Sequence, residues 1–127
     1  DLDKEQIKEL VTFLNDKNPV VKVEALGIIL QYSAKTEHRK LFEGTDLMKL
    51  VLRLHSDEVF FASLISYSNI LPAYTERAIS VLINFTQDEY FRKQIVELKG
   101  ATRIIETLTD HVLKYDYLSK TVSYSWS

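Results

Sequence analysis

The chain has 127 residues, 46% of them hydrophobic and 27% charged, which is enough apolar material for one buried core and too much for a disordered segment. Its 16 basic and 18 acidic residues leave a net charge of −2, without the basic excess that a nucleic-acid surface needs. Only 3 Gly and 2 Pro argue against a turn-rich all-β fold, and the lack of Cys excludes a disulfide framework, a thiolate zinc site and a cysteine nucleophile.

The apolar periodicity is helical almost throughout. Ile7, Leu10, Val11 and Leu14 form one stripe within residues 4–14. Asn18-Pro19 then signals a helix start, with Asn as the cap and Pro at the first helical position. The helix expected from Pro19 to Ala34 is apolar around most of its circumference and needs neighbours on several sides. A short helical piece over 36–42 ends at Gly44, placed to take up the left-handed conformation. Thr45 is the expected cap of a helix carrying Leu47, Leu50, Val51 and Leu54. Residues 58–71 are less regular, and Pro72 is expected to break whatever precedes it. A second largely apolar helix is expected over 73–86, a short one over 88–98, Gly100 as punctuation, and further helices over 101–113 and from Tyr115 onward. No apolar run approaches the roughly 18 residues needed to span a bilayer, so no membrane partner is expected.

The elements recur. At an offset of 53, Ala25 falls on Ala78, Leu26 on Ile79, Ile28 on Val81, Ile29 on Leu82 and Leu30 on Ile83. Tyr32 then falls on Phe85, Ser33 on Thr86, Arg39 on Arg92 and Lys40 on Lys93. With one residue more, Leu50 falls on Ile104, Val51 on Ile105 and Leu54 on Leu108. Each copy reads as a long buried helix, a short helix, a glycine-marked turn and an amphipathic helix.

That unit, with Ala78 followed by Val81-Leu82-Ile83-Asn84-Phe85-Thr86, resembles the armadillo repeat. The resemblance implies an all-α, right-handed armadillo/HEAT-like α-solenoid, a single domain over 1–127 with about two full repeats and partial ones at each end. Such repeats run to about 42 residues, so the surplus is expected as an insertion over 57–71. The insertion, the Leu-Ile-Asn-Phe-Thr ending and Asn15-Asp16-Lys17-Asn18-Pro19 are similar to the N-terminal part of the armadillo-like chaperones for eukaryotic elongation factor 2. This resemblance implies a cytoplasmic, non-catalytic protein-binding chaperone or adaptor, with elongation factor 2 and other chaperones as partners. The alternatives are a nuclear-transport-type adaptor for basic localisation peptides, which usually needs Trp beside Asn along the groove, and a general scaffold. The start without Met and the end on Trp126-Ser127 lead to the expectation of an excised piece. Its last helix, with Leu118, Val122 and Trp126, would then be open to self-association.

Chemistry-bearing motifs are absent from the sequence. His38, His55 and His111 share no ligand spacing, no glycine-rich loop cradles a phosphate, and no nucleophile elbow occurs. No metal, cofactor or catalytic residue is therefore expected. Asp57-Glu58 and Asp88-Glu89 read as helix-start acids that complement the dipole. Asn84-Phe85-Thr86 matches a glycosylation sequon but falls within a helix expected to be buried. Phe60-Phe61 and the tyrosines Tyr115, Tyr117 and Tyr124 read as packing residues before they read as a binding patch.

One constellation is a candidate site. Glu24, Gly27 and Gln31 share a face of the first long helix, and Arg77, Ser80 and Asn84 occupy the matched positions of the second. By the armadillo resemblance this face lines a concave protein-binding groove, with Asn84 and Gln31 bonding partner backbone and Arg77 and Glu24 adding charge. Asn84 serves equally well as a hydrogen bond between adjacent repeats, and the two roles are compatible.

Overall fold

The structure, a computed structural model, describes residues 1–53, 70–99 and 102, and among these it is helical with no strand. The helices are α1 (Lys4–Thr12), α2 (Pro19–Tyr32), α3 (Thr36–Arg39), α4 (Leu47–Arg53), α5 (Ile70–Phe85) and α6 (Glu89–Glu97). Single 3-10 turns, Phe13–Asn15 and Lys40–Phe42, extend α1 and α3. The expected helices beyond Gly100, the aromatic pair at 60–61 and most of the 57–71 insertion lie outside the described residues.

Local rules account for most boundaries. Asp3 caps α1 through a reciprocal box: its Oδ1 accepts from the Gln6 N–H at 2.8 Å, and its own N–H donates to Gln6 Oε1 at 2.9 Å. Asn18 Oδ1 accepts from the Val20 N–H at 2.9 Å, and Pro19 takes the first position of α2, as the sequence predicts. Gly44 is left-handed, with φ 81°.

Two boundaries, the starts of α5 and α4, differ from expectation. Helix α5 starts at Ile70, so Pro72 lies in its first turn, where a missing N–H leaves no intrahelical bond unmade. Ile70 and Leu71, assigned to the insertion, therefore belong to this helix. At α4 the first intrahelical bond runs from Leu50 N–H to the Asp46 carbonyl at 2.9 Å. Thr45 Oγ1 accepts from Leu47 N–H at a long 3.4 Å, and the same hydroxyl donates to the Phe42 carbonyl at 2.6 Å. The left-handed residue after α6 is Lys99, with φ 56°, one position before Gly100. Asp88 precedes α6 but does not cap it with its side chain, and its carboxylate accepts from Arg39.

One core joins these elements. Ile7, Leu14, Leu26, Ile29, Phe42, Leu47, Val51, Val81 and Phe85 are wholly enclosed. Phe85 is central: its ring meets Phe42 edge-on at 5.4 Å and Phe91 edge-on at 4.6 Å. Tyr74 is enclosed in the same core, and burial pushes its phenol well above the ordinary value, so it stays neutral. Helix α2 is covered on the sides facing α1 and α5, yet Ile28 remains 42% exposed.

Ala25 and Ala78, aligned by the repeat, are both buried. Ala78→Leu is expected to cost on the order of 1–3 kcal/mol in a urea melt by overpacking. An unchanged midpoint would show that the space beside Ala78 is open.

Candidate functional site

The two long helices pack side by side. Arg77 of α5 reaches the Val23 carbonyl of α2, Nη1 to O 2.7 Å, and Asn84 Nδ2 donates to Ser33 Oγ at 2.8 Å. Both ties advance together along the two helices, so α2 and α5 run in the same direction.

The corners that follow the helices repeat in atomic detail. Ser33 Oγ donates to the Leu30 carbonyl at 2.6 Å, and Thr86 Oγ1 donates to the Ile83 carbonyl at 2.5 Å. Arg39 Nη1 donates to the Ser33 carbonyl at 2.9 Å, and Arg92 Nη1 donates to the Thr86 carbonyl at 2.8 Å. Both pairs of bonds obey the offset that aligns the two sequences. The reason is chemical. A helix end leaves carbonyls without intrahelical donors, and an arginine one turn into the next helix supplies them.

The first corner carries an addition. Arg39 is 3% exposed, and its Nε and Nη2 donate to the two carboxylate oxygens of Asp88 at 2.8 and 3.2 Å, while Nη2 also reaches Thr36 Oγ1 at 3.0 Å. The position matched to Asp88 in the first copy is Lys35, which cannot pair with an arginine, so this bidentate pair joins the copies and is not itself repeated. The repeat alignment picked out Arg39 beside Arg92 without indicating an acidic partner.

Four of the five candidate residues fall into two groups, and Ser80 stands apart from both. Glu24 and Gln31 of α2 are exposed and form no hydrogen bond or ion pair among the described residues. Arg77 and Asn84 of α5 are half-buried and tie α5 to α2. Ser80, one turn after Arg77, is half-buried with its hydroxyl unbonded among the described residues. The hydrogen bond between repeats that the sequence allowed for Asn84 is present. Gly27 has a specific role: a Cβ there would stand 3.0 Å from Arg77 Nη1 and 3.2 Å from its Cζ. The glycine leaves the space across which the guanidinium lies.

A prediction separates the two groups. Asn84→Ala removes a tie and should cost about 0.5–1.5 kcal/mol, whereas Gln31→Ala should stay within about 0.5 kcal/mol. Parallel urea melts check this, and equal losses would contradict the assignment of one amide to the fold and the other to the surface.

Elsewhere the described residues hold no cluster of three or more His, Asp or Glu placed to bind a metal ion, and no helix long and apolar enough to cross a membrane. His38 packs on Tyr32 with ring centroids 4.9 Å apart, and its Nε2 lies 3.8 Å from Asp1 Oδ2. Tyr32 Oη accepts from the Leu2 N–H at 3.0 Å, so this group fastens the N-terminal residues to α2. No protein-family model, characterised protein or solved structure matches the chain.

Proposed function

We propose that this protein is an armadillo-like right-handed solenoid segment that binds another protein along the surface shared by α2 and α5, and that it has no catalytic role. The observation that carries the reading is the repeated corner: Arg39 on the Ser33 carbonyl and Arg92 on the Thr86 carbonyl. A unit reproduced at this level stacks by translation, and stacked units present matched residues in rows. Asn84 is committed to the tie with Ser33, and Arg77 commits one guanidinium donor to the Val23 carbonyl. Glu24, Gln31 and Ser80 remain available to a partner, beside the exposed side chains of Ile28 and Ile83.

The proposed role is that of a cytoplasmic chaperone or adaptor for translation elongation factor 2, on the sequence resemblance described above. Capture of purified elongation factor 2 on the immobilised chain, beside a basic localisation peptide, tests it. Retention of the elongation factor, weakened by the Glu24→Ala, Gln31→Ala double variant, is the expected result. Retention of the basic peptide alone would replace this partner with a transport cargo.

A further inference from the structure

Charge is balanced unevenly along the shared face of α2 and α5. Arg39 is neutralised by Asp88, whereas Arg77 has only the neutral Val23 carbonyl. No ion pair involving Arg77 forms among the described residues, and its one hydrogen bond leaves most of the five guanidinium N–H donors unspent. This cation is also held in place. It is half-buried, anchored through Nη1, and laid over Gly27, where no side chain intervenes. The Ser80 hydroxyl, another unspent donor, follows one helical turn along the same face.

We infer that Arg77 and Ser80 form a carboxylate-recognition site, and that the partner's segment on this face is acidic. The inference rests on the reading of this surface as protein-binding and adds the chemistry of the partner. A guanidinium restrained beforehand loses little freedom on binding, and its fork matches the two oxygens of a carboxylate. Partial burial strengthens the attraction relative to a fully hydrated lysine. Exposed Glu24 and Glu76 flank the anchored region in sequence and would repel a doubly charged phosphate more than a monoanionic carboxylate. A basic peptide would meet Arg77 with like charge.

An array of immobilised peptides in three matched sets tests this, with Glu, Gln or Lys at the same alternating positions and all other positions randomised. The wild-type chain should retain the Glu set over the Gln set by about tenfold, as expected for a charge-assisted contact compared with a neutral one. Arg77→Gln should abolish that preference, Ser80→Ala should reduce it, and raised salt should weaken it. Because Arg77→Gln also removes a tie, its circular dichroism is compared with wild type. An independent readout needs no variant: the Arg77 Nε–H resonance should shift on adding a Glu peptide and remain still with its Gln counterpart. Equal retention of the Glu and Gln sets, or a preference that survives Arg77→Gln, overturns the carboxylate site. Binding of Gln or Lys peptides that is lost in Gln31→Ala would keep the protein-binding face while removing the carboxylate site. Retention of no set would overturn both.

Discussion

Asp88→Asn should destabilise the protein by about 3 kcal/mol, the lower end of the roughly 3–5 kcal/mol lost when one member of a buried ion pair is removed. The Arg39 side chain is 4% exposed, while that of Asp88 is 20% exposed, so water reaching the carboxylate softens the effect. Asparagine offers one acceptor oxygen where aspartate offers two, and it carries no charge. The guanidinium would keep its bonds to the Ser33 carbonyl and Thr36 Oγ1 but lose its counter-charge inside the protein. Exposed pairs such as Lys8–Glu5 and Lys93–Glu89 contrast with it, and removing either should be nearly neutral. A double variant, Arg39→Met with Asp88→Ala, should recover part of the loss, because the charge that needed compensation is gone as well. Urea melts of the three variants measure these differences. A single-variant loss below about 0.5 kcal/mol would mean that the pair is open in solution.

Phe85→Ala should cost about as much or more, roughly 3–5 kcal/mol. The side chain is fully enclosed, and its ring stands between Phe42 of the first copy and Phe91 of the second. Truncation removes the buried ring surface, leaves a cavity, and ends two edge-to-face contacts worth about 0.5–1.5 kcal/mol each beyond their area. Phe85→Leu keeps much of the volume without the ring edges, so its loss should be smaller. The ordering Ala worse than Leu, in melts monitored by circular dichroism, is the expected result. Equal losses would assign the whole effect to aromatic geometry, and a loss under about 1 kcal/mol for Ala would show that the space collapses freely.

These two sites do different mechanical jobs in one joint. Phe85 fills the space between the copies, and the Arg39–Asp88 pair fixes how their corners meet. Weakening either should loosen the rows of exposed residues on α2 and α5 before it removes any residue that touches a partner. Binding measurements on such variants are therefore best normalised to the folded fraction.

Much of this arrangement was legible from residues alone because it depends on neighbours within one or two turns. Asn18-Pro19 marks the start of α2, Gly44 takes the left-handed turn, and Ala25 and Ala78 are both buried. The offset that pairs Ser33 with Thr86 and Arg39 with Arg92 also holds for their hydrogen bonds. What the tertiary structure alone decided is which polar group meets which across about 50 residues of chain. Asp88 reads in sequence as an acid at a helix start, yet packing places Arg39 beside it, and both carboxylate oxygens accept from the guanidinium while neither caps α6. Asn84 and Gln31 are matched in sequence, but among the described residues only Asn84 meets a hydrogen-bond partner, Ser33, so one amide is a tie and the other an exposed side chain. Helix propensity and capping act within a single helix. The register between α2 and α5 is set by side chains of both helices at once, and no reading of either helix separately contains it.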